Sequence, residues 1–164
     1  MGISINTTSG LGKKAEAKIK EWLDRPDKGW DFNRIPDQLT GMYGSRNISD
    51  FDLFIYPEKY YIESKCTTND RFDFSLITET QYNGLLKKAD LPHVHGVVIV
   101  LFAEYQRAFA ISIQEIDRLK SEGRASLNIK KIDKWGITYQ EIETVPNARK
   151  QLLDYTGELK PDLL

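Results

Sequence analysis

A chain of 164 residues, 40% hydrophobic and 29% charged, is long enough for one self-sufficient core, and no stretch approaches the ~20 consecutive apolar residues of a membrane span. Twenty-three Lys and Arg against 24 Asp and Glu leave a net charge of −1, so no basic surplus advertises a nucleic-acid binder; cations gathered on one face remain compatible with that total. The single cysteine, Cys66, excludes an internal disulfide and a thiolate metal cluster, and the lack of an apolar signal core in Met1–Asn6 makes the cytoplasm the expected compartment.

Residues 1–10 end in Thr7-Thr8-Ser9-Gly10 and are expected to form a flexible arm, because small polar side chains bury little surface. Ser9 is a candidate N-cap for a helix from about Leu11 to Asp24, stopped before Pro26, with Ala15, Ile19, Trp22 and Leu23 as its apolar stripe. Glu16 sits at the edge of that stripe. It is either a solvated flank charge or a carboxylate reaching into a site between helix and sheet. Trp30–Ile35 alternates apolar and polar residues, as a half-buried strand does. Residues 37–48 carry two glycines and no sustained period, which predicts a loop. Arg34 and Arg46 flank it and Tyr43 lies within it, a set suited to a phosphate backbone and a base.

Ser49–Lys65 predicts a hairpin with its turn at Pro57-Glu58. Side chains alternate along a strand, so Asp50 and Asp52 share one face and Glu63 and Lys65 share one. Beyond a polar turn at Cys66–Arg71, the segment Phe72-Asp73-Phe74 leads into a helix from about Ser75 to Ala89, capped by Asp73 or Ser75. Ile77, Gln81, Leu85 and Lys88 form its stripe. Gln81 thus interrupts an apolar face and needs partners: a backbone edge, or the carboxylates of the hairpin. His93 and His95 alternate around Val94, with no third metal ligand at a suitable spacing. Gly96–Phe102 is continuously apolar, as expected of a strand covered on both faces. Arg107–Ser112 is its expected neighbour, followed by a helix over Ile113–Ser121. Trp135–Ile142 predicts a late strand, and residues 147–155 a short helix. The domain is expected over residues 11–155, with a polar tail over 156–164. A mixed sheet flanked by helices accommodates this order.

The hairpin carries the chemistry. Two carboxylates hold a hard divalent cation through oxygen, and a lysine beside them neutralises developing negative charge, which are the parts of metal-assisted phosphodiester hydrolysis. Glu63 stands thirteen positions after Asp50 and eleven after Asp52, and either aspartate is a candidate ligand, Asp52 being held in reserve on the resemblance given next.

In this stretch the chain resembles the PD-(D/E)XK nuclease superfamily and, more narrowly, the RecU-like Holliday-junction resolvases of Gram-positive bacteria and their phages. Four pieces carry the resemblance, in order: Gly12-Lys13-Lys14-Ala15-Glu16, Ser49-Asp50-Phe51, Tyr61-Ile62-Glu63-Ser64-Lys65, and Phe72-Asp73-Phe74 leading to Gln81. It covers roughly residues 10–120. It implies an α/β, restriction-endonuclease-like fold, with Asp50 and Glu63 binding Mg²⁺ or Mn²⁺, Lys65 acting beside them, Glu16 assisting from the first helix and Gln81 as a site glutamine. It further implies a homodimer acting on branched DNA in recombination or repair. Two departures are visible: only Asp37–Ile48 stands where the family carries a longer stalk, and Thr80 stands where the family often has histidine before the glutamine. A nuclease with another DNA substrate and a non-catalytic binding module on the same fold are the alternatives.

Overall fold

The computed structural model describes residues 5–36, 47–146 and 153–164. Its centre is a six-stranded sheet in the order β1-β2-β3-β5-β6-β8, built from Asp31–Arg34 (β1), Phe51–Ile55 (β2), Glu58–Thr67 (β3), Val94–Phe102 (β5), Arg107–Ser112 (β6) and Gln140–Glu141 (β8). The β3–β5 pair is parallel and the others antiparallel, so the sheet is mixed. Helix α1 (Ile5–Leu23) covers one face. Helices α2 (Glu79–Ala89) and α3 (Ile113–Ser121) cover the other, with a small ribbon of Arg71–Asp73 (β4) and Ser126–Asn128 (β7).

The two cores follow the strand period. Phe51, Leu53, Tyr60, Ile62, Val97 and Ile99 point to α1, where Ala15, Ile19, Trp22 and Leu23 meet them, all buried as the helical stripe predicts. Val98, Val100, Phe109 and Ile111 point to α2 and α3. Both faces of β5 are therefore covered, which accounts for its unbroken apolar run.

Several elements differ from the sequence expectation. Helix α1 begins at Ile5, not near Leu11. Thr, Ser and Gly each cost a packed helix less than about 1 kcal/mol, too little to stop it from propagating. The hairpin turn is Tyr56-Pro57, one residue earlier than expected, since Ile55 pairs with Glu58. The second helix is preceded by a 3₁₀ turn over Phe74–Leu76, and Thr78, not Asp73 or Ser75, is the N-cap of α2. Only Gln140–Glu141 of the late strand is in the sheet. Trp135-Gly136 lies in a turn, where Gly136 adopts φ +61°.

At the C-terminus, Leu153–Tyr155 is a strand (β10) paired with Thr144–Pro146 (β9), where the periodicity predicts a helix; residues 147–152 lie outside the described residues. The segment after it is tied to the domain. Trp22 Nε1 donates to the Gly157 carbonyl, Gln140 brackets Glu158 and Lys160 by two 2.8 Å bonds, and Leu159 is buried. Among the described residues no helix is long and apolar enough to cross a membrane.

Candidate active site

Strand β2 starts at Phe51, paired with Ile62, so β3 continues past Ile62 with no β2 residue alongside. Asp50 sits at that step. Its N–H donates to the Ile62 carbonyl at 3.0 Å, and its own carbonyl accepts from Ile35 N–H at 2.8 Å. Backbone bonds on both flanks thus fix where its side chain emerges. The Ser64 N–H, freed from the ladder, donates instead to Asp50 Oδ2 at 2.8 Å. That charge-assisted bond ties the carboxylate to the strand bearing Glu63 and Lys65.

Glu63 is 3% exposed. Its Oε1 accepts from Gln81 Nε2 at 2.8 Å and lies 3.3 Å from Lys65 Nζ, while its Oε2 is buried without a hydrogen-bond partner. Burial above all, and then the neighbouring Asp50, push its pKa up to about 8; Lys65 opposes this. Two carboxylates crowded in a poorly solvated place are unstable as a charged pair. An orphaned buried oxygen beside them is what a bound cation would satisfy, so the donor set fits a divalent metal with oxygen ligands.

Gln81 serves both of the roles open to it. Thr78 and Gln81 form a capping box: Gln81 N–H donates to Thr78 Oγ1 at 3.2 Å, and Thr78 N–H donates to Gln81 Oε1 at 3.0 Å. The same Oε1 accepts from Lys65 Nζ at 3.3 Å, and Nε2 faces Glu63. The backbone cap therefore orients the amide toward the carboxylate. Thr78-x-x-Gln81 is the sequence signal for this cap, and the site role of Thr78 is legible only through it.

Further support comes from Ile48, two residues before Asp50. A methyl group on Gly84 of α2 would lie 2.7 Å from Ile48 Cβ and closer still to its Cγ2. Only glycine lets Ile48 seat on the helix there, and sequence reading passed over this pair.

Glu16 reaches the edge of the sheet from the α1 side. Its Oε2 accepts from Arg34 Nη2 at 3.4 Å, and the pair lines a cavity of about 430 Å³ with Lys13, Ala17, Lys20 and Phe51, the residue after Asp50. Asp52 is held apart from Glu63, accepting from Asn33 Nδ2 at 3.0 Å and from Lys59 Nζ at 3.1 Å. Tyr43 and Arg46 lie outside the described residues.

The two histidines flank Glu58, at 3.1 Å from His93 Nδ1 and 2.6 Å from His95 Nε2; these contacts, His95 foremost, hold the Glu58 carboxyl below its ordinary range. Among the described residues no group of three His, Cys, Asp or Glu is arranged to hold a metal. Cys66, half-buried, packs against the α1 core, where burial pushes its thiol up to about 11.

A mixed sheet with one helix on one face, two on the other, and an Asp…Glu-x-Lys set at the step between two strands defines a restriction-endonuclease-like α/β protein. Among solved structures, the chain is similar to the Archaeoglobus fulgidus Hjc, a Holliday junction resolvase from an archaeal hyperthermophile, with a TM-score of 0.51 over 73% of this chain and 89% of that one at 12% identity. The chain thus shares the fold of that structure. No protein-family model and no curated protein matches the chain.

Proposed function

We propose that the protein is a metal-dependent endodeoxyribonuclease that resolves branched DNA, a Holliday-junction resolvase acting in recombination or repair. The observation that carries this reading is the convergence of Asp50, Glu63 and Lys65, with Glu63 Oε2 buried and unsatisfied. The resolvase fold of the similar structure supports the substrate class.

Asp50 and Glu63 would hold Mg²⁺, or Mn²⁺, between them. When bound, such an ion neutralises charge on the scissile phosphate and lowers the pKa of a coordinated water. Lys65 presents an ammonium that stabilises negative charge developing on the phosphoryl oxygens. Gln81 keeps Glu63 from rotating away and shares the Lys65 ammonium with it. Glu16 and Arg34 border the approach from the α1 side, where Arg34 suits a phosphate oxygen. A homodimer would place two such sites about a two-fold axis, as paired cuts in a four-way junction require.

The test is cleavage of four-way junction, linear duplex and flap DNA with Mg²⁺ or Mn²⁺. Paired nicks in the junction, lost in EDTA and in Asp50→Asn, are the expected result. Equal cutting of duplex and junction would replace the substrate with a general one. Absence of any cutting, with no metal uptake in calorimetry, would overturn the enzyme reading.

A further inference from the structure

The net charge of −1 conceals an uneven pairing of cations. Arg25, Arg107, Arg118 and Lys130 each contact a carboxylate. Lys120, Arg124 and Lys131 have no carboxylate partner among the described residues. They lie over aromatic rings instead. Lys120 Nζ is 4.0 Å from the Tyr82 ring centroid, and the Arg124 guanidinium and Lys131 Nζ are 4.0 and 5.8 Å from that of Trp135. A carboxylate cancels a cation's charge. A ring face restrains the cation and leaves its charge whole.

Of the acids on the same segments, Glu122 is neutralised by Arg118 at 2.6 Å, while Asp117 and Asp133 accept from the Tyr82 and Tyr139 hydroxyls and keep their charge without an ion-pair contact to these three cations among the described residues. The first of these rings is carried by the α2 turn whose Gln81 faces the candidate site. Tyr82 follows Gln81, whose amide holds Glu63, and Lys120 reaches Tyr82 from α3. Arg124 lies just past the end of α3, and Trp135, half-buried against the same core as Tyr82, lies in the turn after β7.

We infer that Lys120, Arg124 and Lys131, held on Tyr82 and Trp135, form a track for the phosphate backbone of a duplex DNA arm leaving the Asp50–Glu63 site. This rests on the nuclease reading above. Restrained cations without an ion-pair contact lose little freedom on meeting phosphate, and each contact releases counterions from the DNA. The ring contacts restrain cations that would otherwise sample solvent.

The test is the triple variant Lys120→Gln, Arg124→Gln, Lys131→Gln, which keeps long side chains against the rings and removes three charges. Binding of a labelled four-way junction is read by fluorescence anisotropy across a salt series, with Ca²⁺ replacing Mg²⁺ to suppress cleavage, beside thermal melting to establish an intact fold. The slope of log affinity against log salt should flatten by about 2.7, from ~0.9 per lost phosphate contact. Single-turnover cleavage at saturating DNA should stay within about twofold of wild type, because none of the three lies among the catalytic groups. A wild type that binds and cuts the junction, with an unchanged slope in the variant, overturns the track and leaves the nuclease reading standing. A wild type that neither binds nor cuts DNA overturns both.

Discussion

Gln81 and Glu63 are joined by a 2.8 Å hydrogen bond whose donor is aimed by a helix cap. The cap fixes Gln81 Oε1 on the Thr78 N–H, which leaves Nε2 facing the buried carboxylate. Stability of α2 and orientation of the site thus share one side chain. Gln81→Ala should lower stability by about 1 kcal/mol, the ordinary cost of a lost cap, and reduce cleavage as well. Gln81→Glu separates the two effects, since a glutamate at this position also closes a capping box. It should keep the cap, read as unchanged helicity, yet cleave poorly, because a third carboxylate replaces the donor to Glu63. A Gln81→Glu enzyme of full activity would show that the bond to Glu63 has no catalytic consequence.

Glu63 makes stability fall as pH rises. Its pKa in the folded protein is about 8, against an ordinary 4.5. Between those values the folded chain keeps a proton that the unfolded chain has lost, so ionisation favours unfolding. In EDTA the melting temperature should drop between pH 5 and pH 8 more steeply for wild type than for Glu63→Gln, which has no such group to ionise. Mg²⁺ should raise the wild-type melting temperature more at pH 8 than at pH 5, because the ionised carboxylate is the ligand. Parallel pH profiles for wild type and Glu63→Gln would contradict this account.

Lys65 lies 3.3 Å from both Glu63 Oε1 and Gln81 Oε1. Lys65→Ala should cut the rate of cleavage at saturating DNA by about 10²-fold or more, the scale on which one charge-stabilising donor acts. Junction affinity, read separately by anisotropy, should change by less than about tenfold. A large loss of affinity with an unchanged rate at saturation would make Lys65 a binding residue only.

Local patterns carried much of the fold and of the candidate site. Alternation along Asp50–Lys65 and the spacing of the two carboxylates bring Asp50, Glu63 and Lys65 to one step in the sheet, and the apolar run at 96–102 announced a doubly covered strand. The turn chemistry was harder to read. Asp73, Ser75 and Thr78 all offer N-caps, and only Thr78 has a glutamine three residues on to close a capping box, a signal easily overlooked beside the nearer Phe72-Asp73-Phe74. The strand β7 is three residues long and exists through pairing with β4, more than fifty residues earlier, which no local pattern encodes. Asp50 and Asp52 share a strand face and differ in neighbours. Asn33 and Lys59 claim Asp52, and that distinction needs the β1–β2 register.

The last relationship concerns a residue with no chemistry of its own. Gly84 lies within α2, where glycine costs about 1 kcal/mol relative to alanine, so propensity alone makes Gly84→Ala stabilising. The packing argues the opposite. An added methyl would meet Ile48 Cβ at 2.7 Å, and Ile48 stands two residues before Asp50. The branched side chain has no flexible end to swing aside, so the segment entering β2 must lift away from the helix. Gly84→Ala should therefore lose cleavage by at least tenfold through displacement of Asp50, with metal affinity in calorimetry falling alongside. The double variant Gly84→Ala, Ile48→Ala removes the overlap and should recover both while keeping the helix-favouring alanine. If the single variant cleaves and binds metal as wild type does, the Ile48–Gly84 contact does not position Asp50.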